Sequence, residues 1–297
     1  MKASSRHPRA MWTLIEPIHA VSYFSAEPRA AFESAGLRGY WRGYFAGRAA
    51  PLGAVGAGPV IALFSGFAPP FVRRALPAVW SMITPDAALE ARAAGAAAAL
   101  RRLAPDESAA DAAAAALERV IDGLDFAGRA LGAANADLPR PDDPHARLWQ
   151  ATATLRERRG DGHVAALVGA GVAGLDILVL RSALDLPRDV LQPARGWGDD
   201  DWAGATDRLV ARGLLDADGS ITGPGRRLVA DVEAVTDRAA AWTSLSSDEI
   251  VLIARGLSPI AEACAAELPE RTPIGDLRLW DVRADPDAAA VASPGVS

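Results

Sequence analysis

Residues 213–222, Gly-Leu-Leu-Asp-Ala-Asp-Gly-Ser-Ile-Thr, decide the fold class expected for the second half of this 297-residue chain. Apolar residues stand on both sides of Asp218-Gly219, and an Asp-Gly pair in that setting predicts a tight turn between two short strands. The preceding residues have helical spacing: a short helix over 187–195 and a turn at Gly196 lead to a second helix over 199–212. A longer helix is expected to begin at Pro224. We therefore predict two helices, a two-stranded hairpin and a third helix, in this order.

The rest of the chain also has helical spacing, and alternating runs of β-branched residues are almost absent. Pro17 is expected to bend or restart the first helix, and Arg159-Gly-Asp-Gly162 is expected to separate two later helices. The remaining helices are predicted over residues 8–24, 27–34, 37–50, 60–67, 70–82, 85–103, 107–131, 145–158 and 163–184.

Longer phrases of the sequence carry a family resemblance. They are Glu-Pro-Ile-His-Ala-Val-Ser-Tyr-Phe at 16–24, Arg-Gly-Tyr-Trp-Arg-Gly-Tyr-Phe-Ala-Gly-Arg at 38–48 and Gly-Asp-Gly-His-Val at 160–164. By these phrases the whole chain resembles an actinobacterial family labelled helix-turn-helix proteins. The hairpin, followed by Ile-Thr-Gly-Pro-Gly-Arg at 221–226, resembles the strand, wing and helix start of MarR-type winged helices. The resemblance implies a winged-helix scaffold and a homodimer, and it implies little about activity.

A proline-rich stretch predicts where two domains meet. Residues 139–144, Pro-Arg-Pro-Asp-Asp-Pro, contain three prolines and are typical of a linker. We predict a helical, aromatic-rich domain over residues 1–138 and a winged-helix-like domain with a small two-stranded wing over 145–284. Residues 285–297 are rich in Ala, Pro and Asp and are expected to form a disordered tail. The predicted fold class is mainly α.

Composition limits the cellular setting. Half of the residues are hydrophobic, and the net charge of −6 excludes a strongly basic nucleic-acid coat protein. The apolar stretches are shorter than the roughly 20 residues that a membrane span needs. A single cysteine, Cys264, cannot form an internal disulfide or a zinc cage, which is typical of a reducing compartment. We expect a cytoplasmic protein with no membrane partner.

The charge of the predicted winged helix disfavours DNA as a partner. Residues 197–231 contain seven Asp and four Arg, a local charge of −3. The helix over 199–212 opens with three consecutive aspartates, which suit a helix N-terminus but would repel a phosphate backbone. DNA binding stays an alternative, because a basic patch can be local. Its candidate residues are Arg208, Arg212, Arg226 and Arg227.

The aromatic residues of the first domain point to a pocket near its junction with the second domain. Twelve of the 18 lie within the first 80 positions, which predicts either a bulky core or the wall of an apolar pocket. His19 and Tyr23 are four residues apart, so they share a helix face and could orient a planar ligand or, through His19, hold a haem or a metal. The alternative is a partly buried histidine that hydrogen bonds to Tyr23 or Glu16. The further candidates for the pocket are Tyr44, Arg48, Trp80 and His163.

His163 is the second histidine with a chemical interpretation. It follows Asp161-Gly162 at a predicted helix start, where the helix dipole would lower its pKa and leave the ring neutral. A neutral ring could accept a proton or a metal, and Arg158 and Arg159 could hold a carboxylate beside it. The alternative is a histidine that only serves the capping turn. No spacing typical of a metal site accompanies either histidine, so the sequence assigns neither catalytic residues nor a cofactor.

Three functional hypotheses follow from these patterns. The leading one is a protein that binds a hydrophobic or aromatic small molecule in an aromatic-lined pocket, on a winged-helix scaffold with little DNA affinity. The second is a MarR-like transcriptional regulator in which a ligand alters DNA binding. The third is a secondary-metabolism enzyme, or a haem or metal protein, that uses His19 and His163.

Overall fold

The structure is a computed structural model that describes residues 7–285 and residue 288, and within this part the chain forms fourteen α-helices. The predicted mainly α fold class is confirmed. The helices are α1 His7–Phe24, α2 Ala26–Ser34, α3 Tyr40–Ala49, α4 Ala57–Leu63, α5 Pro69–Arg73, α6 Pro85–Leu103, α7 Glu107–Asp122, α8 Ala130–Ala136, α9 Pro144–Gly169, α10 Leu175–Ser182, α11 Arg188–Arg195, α12 Asp199–Ala211, α13 Gly223–Ala240 and α14 Ser247–Ala265. Two short 3₁₀ helices, Ala50–Leu52 and Ala78–Ser81, complete the described elements.

The long helix α9 is the central element, and it corrects the expected break at residues 159–162. Asp143 caps it by accepting a hydrogen bond from the backbone N–H of Ala146 at 2.8 Å, and the helix then runs unbroken for 26 residues. A Cβ at Gly162 would lie 3.0 Å from Nη1 of Arg129 and 3.1 Å from Cβ of Ala239. The glycine therefore permits close packing of neighbouring segments against α9, and it does not end the helix.

Other predicted boundaries also differ from the structure. The helix predicted over 163–184 is divided, because α9 ends at Gly169 and α10 begins at Leu175. The first helix passes through Pro17 without a restart, and the residues around this proline are buried, so their packing offsets the lost hydrogen bond. The helix predicted over 107–131 ends at Asp122, where Gly123 follows, and α8 is separate. The helix predicted over 70–82 is reduced to α5 and a 3₁₀ turn.

Buried apolar residues form three groups. The first lies among α1, α6, α7, α9 and α14, so it combines elements from both sides of the proline-rich stretch. The second is formed by α3, α4, α5 and their neighbours, and it contains many of the aromatic side chains. The third is formed by the end of α9, by α10, α11 and α12, and by α13. The division into two domains stays a prediction.

The region around the expected wing has the predicted helix order, but the two-stranded wing is not supported. Within the described residues there is no strand, and only one antiparallel bridge joins Leu215 to Ile221. The hydroxyl of Thr222 accepts from the backbone N–H of Gly225 at 3.1 Å and so starts α13 directly after the bridge, which leaves no length for a ladder. A Cβ at Gly225 would lie 2.3 Å from the carbonyl oxygen of Leu214, so only glycine fits there.

Two expectations concern the chain end and membranes. The tail predicted to be disordered over 285–297 lies outside the described residues, apart from Asp285 and Ala288. No single helix in the described part has both the length and the hydropathy of a membrane span. The consecutive segments Tyr40–Leu52 and Ala57–Leu63 have the length and hydropathy of a span only when they are taken together, and the chain bends by 94° between them.

Candidate functional site

Four of the six predicted pocket residues line one cavity of about 330 Å³, hereafter the aromatic cavity. It lies among α1, α2, α3, α6, α8 and α9. The predicted residues that line it are His19, Tyr23, Tyr44 and Arg48. The His19 ring stacks on the Trp149 ring with centroids 5.8 Å apart. The Tyr23 ring meets the His19 ring edge-on with centroids 5.1 Å apart, and it is tilted against the Tyr44 ring with centroids 5.0 Å apart. The exposed side chains of Arg29, Glu33 and Tyr40 line its outer end.

Glycines set the close packing of helices around this cavity. A Cβ at Gly43 would lie 3.0 Å from the Phe32 ring, and one at Gly47, a turn later on the same face of α3, would lie 2.8 Å from it. A Cβ at Gly95 of α6 would lie 2.4 Å from Cα of Pro28. These three positions let α2 lie directly against α3 and α6, and so bring the segment after Tyr23 over the cavity.

Three buried polar atoms at the cavity have no hydrogen-bond partner among the described residues. They are Nδ1 of His19, the hydroxyl of Tyr23 and Oγ of Ser25. Burial lowers the pKa of His19 well below its usual 6.5 and raises the pKa of Tyr23, so both groups are neutral at physiological pH. Buried polar atoms nearly always have a partner in proteins. These three are therefore available to a bound molecule.

A buried ionic network forms one wall of the cavity. Arg48 donates to both oxygens of Glu157, from Nε at 2.9 Å and from Nη2 at 2.8 Å, and its Nη1 donates to the Tyr44 hydroxyl at 2.9 Å. Arg156 donates to Glu157 at 3.2 Å and lies 3.4 Å from Glu16. Burial alone would raise the pKa of Glu157, but the two guanidinium groups lower it to about 2. The carboxylate is thus charged at every physiological pH.

Arg92 of α6 also lines the cavity, and only 6% of it is exposed. Its Nη1 donates to the carbonyl oxygen of Gly47 at 2.9 Å, and its Nη2 donates to Asn135 at 2.9 Å and to Gln150 at 3.3 Å. The guanidinium lies 5.2 Å from the centre of the Trp149 ring. All three acceptors are uncharged.

Sequence reasoning missed Ser25, Arg92 and Glu157. Ser25 could not be found from the helical spacing of His19 and Tyr23, because α1 ends at Phe24. Glu157 was hidden by the expected break in α9, which placed it near a helix end. Arg92 stands in an alanine-rich helix whose sequence gives no sign of which face is buried. The one signal was that Arg92 directly precedes a run of small residues over 93–99.

His163 lines a second space of about 730 Å³ among α1, α3, α9, α10 and α13, hereafter the junction cavity. Its Nδ1 lies 2.9 Å from Oγ1 of Thr236, and that hydroxyl donates to the carbonyl of Val232. Nδ1 therefore carries the proton and donates to Thr236, while Nε2 is an acceptor. The pKa of His163 is lowered to about 4, chiefly by burial. The ring is neutral as expected, but the proposed helix-dipole cause is wrong because His163 lies within α9.

The two histidines line different cavities, which share the wall residues Tyr44, Arg48 and Glu157. Trp80 lines neither cavity, and its Nε1 donates to the carbonyl of Val55 at 2.8 Å. Among the described residues, no group of three or more His, Cys, Asp or Glu side chains is arranged to hold a metal ion.

The four arginines of the alternative DNA-binding hypothesis differ in their surroundings. Arg208 donates to Asp176 of α10 at 2.7 Å, and Arg212 donates to the carbonyl of Gly171 at 2.7 Å and lies 3.8 Å from Asp176. Arg226 and Arg227, in the first turns of α13, are exposed. The three aspartates that open α12 are exposed as well. Arg208 of α12 and Arg212, which directly follows this helix, are thus partly neutralised by the chain itself.

One family model, described as a helix-turn-helix family, matches residues 8–269, which is most of the chain. Neither the comparison with curated proteins nor the comparison with solved structures gave a match.

Proposed function

The chain belongs to the helix-turn-helix family, and we propose that this member binds a small molecule in the aromatic cavity. The observation that carries the proposal is the set of three buried, unpartnered polar atoms on His19, Tyr23 and Ser25, which all border the same space. Leaving such atoms unpaired is costly, and a ligand that hydrogen bonds to them removes that cost.

The size and the walls of the cavity support this proposal. Ligand sites in proteins are typically about 300–1,000 Å³, with mostly apolar and aromatic walls and a few placed polar groups. The aromatic cavity, at about 330 Å³, is at the small end of that range. The rings of Tyr23, Tyr44 and Trp149 offer flat faces and edges at which a planar, hydrophobic molecule would pack.

Native mass spectrometry of the purified full-length chain tests this function by detecting co-purified small molecules. A thermal-shift panel of aromatic compounds then provides binding probes for two variants. Ala153 is buried and lines the cavity, so Ala153→Leu fills part of it and is expected to weaken binding at least about tenfold. Ala165, exposed on the same helix, provides the matched control Ala165→Leu. Equal binding by both variants would exclude the aromatic cavity as the site.

A second function is a regulator whose DNA binding responds to the ligand, because membership of a helix-turn-helix family suggests a fold of the DNA-binding type. Its MarR-like character stays a prediction. The exposed aspartates of α12 and the pairing of Arg208 with Asp176 oppose this function. The exposed pair Arg226 and Arg227 would supply its phosphate contacts. Duplex DNA binding over a salt series tests the hypothesis.

Under that hypothesis, Arg226→Ala/Arg227→Ala weakens binding and reduces the salt dependence by about two phosphate contacts. Arg238→Ala, at an exposed arginine further along α13, is the control. Salt-independent or absent binding to DNA at low ionic strength would reject the regulator.

The homodimer implied by the winged-helix resemblance stays a prediction, which sedimentation equilibrium would test.

A further inference from the structure

Arg92 carries a buried charge that the protein does not neutralise. The side chain donates to three neutral acceptors, the Gly47 carbonyl, Asn135 and Gln150, and no carboxylate among the described residues pairs with it. A guanidinium has five N–H groups, so two remain after these bonds. Burial lowers the pKa of Arg92 to about 10, and the group therefore stays protonated at neutral pH. A buried charge is costly to keep without a partner.

The other charged residues that line the aromatic cavity balance one another. Arg29 pairs with Glu33 at 2.9 Å at the outer end. In the ionic wall, Arg48 engages both oxygens of Glu157, and behind it Arg156 lies between Glu157 and Glu16, which makes two positive and two negative groups. Arg92 is the remaining charged residue among those that line the cavity, so the lining residues Arg29, Glu33, Arg48, Glu157 and Arg92 sum to a charge of +1.

Resting on the function proposed above, we propose that the ligand of the aromatic cavity is a planar organic monoanion, and that its carboxylate pairs with Arg92. One negative charge neutralises the cavity, whereas a phosphate ester would bring a charge of about −1.5 to −2. The two N–H groups that Arg92 has left, on Nε and Nη1, lie on different edges of the guanidinium, so a carboxylate accepts a charge-assisted hydrogen bond from one of them. The neutral groups of His19, Tyr23 and Ser25 then serve the uncharged part of the molecule.

Calorimetric titration of the full chain with matched acids and amides tests this inference. The probe pairs are benzoate with benzamide and 1-naphthoate with 1-naphthamide, which differ in charge but barely in shape, and 1-naphthyl phosphate serves as the dianion. We expect the better-fitting acid to bind about tenfold to a hundredfold more tightly than its amide, because a hydrogen bond to a charged group is stronger. The phosphate is expected to bind more weakly than the naphthoate.

Variants at Arg92 assign the preference to this side chain. Arg92→Gln removes the charge but keeps an amide that can donate to Asn135, and it is expected to lose the acid-over-amide preference. Arg92→Lys keeps the charge and should retain part of that preference, which gives a second measurement if the first variant folds poorly. Arg101→Gln, at an exposed arginine of α6 that does not line the cavity and pairs with Asp143, is the control and should leave the preference unchanged within about twofold.

The possible outcomes separate this inference from the proposed function. Equal affinity for acid and amide in the unmodified protein, or tighter binding of the phosphate, overturns the monoanion while small-molecule binding stands. An undiminished preference in Arg92→Gln overturns the role of Arg92 alone. Binding of no probe, together with no co-purified molecule in native mass spectra, overturns both the inference and the proposed function.

Discussion

Replacing Glu157 by glutamine is the sharpest test of the ionic wall between the two cavities. The carboxylate is buried and accepts from Arg48 and Arg156, so Glu157→Gln leaves Arg48 without its counter-ion and leaves Arg156 with Glu16 alone. The side chain keeps its size and one carbonyl oxygen. The expected effect is therefore electrostatic, and the aromatic packing around Tyr44 should persist.

The magnitude follows from the pKa of Glu157, which lies at about 2 in the folded protein and at its usual 4.5 in the unfolded chain. This difference corresponds to about 3 kcal/mol of folding free energy at neutral pH. Removal of one member of a buried ion pair typically costs about 3–5 kcal/mol, which agrees. Because the folded pKa is lowered, the contribution is fully present above pH 4.5 and is lost as the pH falls towards 2.

Urea unfolding at pH 7, followed by tryptophan fluorescence, measures the loss. The matched control is Glu33→Gln, because Glu33 lines the outer end of the same cavity but is exposed, and its loss should stay below about 1 kcal/mol. The double variant Arg48→Gln/Glu157→Gln should lose less than the sum of the two single variants, since neither charge is then left unpaired. A loss below about 1 kcal/mol for Glu157→Gln, or strict additivity, would refute the electrostatic account.

Three further predictions concern stability and reactivity. Because the folded pKa of His163 is about 4, the unfolded chain binds the proton first, and lowering the pH from 7 to 5 should remove about 2 kcal/mol of stability through this group. Urea titrations of His163→Asn, whose amide can replace the ring donor, should show a smaller loss, and equal losses would contradict the assignment. Gly95→Ala should lower the free energy of unfolding by about 1–3 kcal/mol, measured by calorimetry, because the added Cβ meets Pro28. Gly58→Ala, in open space on α4, is the control and should not lower it. Similar melting temperatures of the two variants would reject this packing. Burial raises the pKa of the Cys264 thiol to about 12, so the thiol should react with an aromatic disulfide reagent only after unfolding. Rapid reaction of the native protein would contradict this and show that the thiol is accessible.

Local spacing was enough to predict part of the aromatic cavity. His19 and Tyr23 are four residues apart in α1, and Tyr44 and Arg48 are four residues apart in α3. Residues at this spacing lie on one helix face whatever the rest of the fold does. Their common face could therefore be expected from the sequence. That the two helices point these faces into one cavity depends on the glycine-mediated packing of α2, which spacing does not encode.

The partners of the buried charges could not be predicted in the same way. Arg48 binds Glu157, which is 109 positions away in the chain. Asp176 of α10 accepts from Arg208, which is 32 positions away in a different helix. The neutral state of His163 was predicted correctly, but from the wrong cause. The sequence suggested that a helix starts at this residue, whereas α9 runs through it and burial lowers its pKa. Burial and long-range ion pairing are properties of the packed helices.

The amino-acid sequence by itself determined the helical class, the order of the helices around the expected wing and the pairs of side chains that share a helix face. These depend on spacing and turn residues within a few positions of one another. Only the tertiary structure decided that α9 is continuous, that the wing is a single bridge, and that Arg92 is buried without a carboxylate. Each of these depends on which helices approach one another, and a charge acquires its energetic weight only when that approach removes it from water.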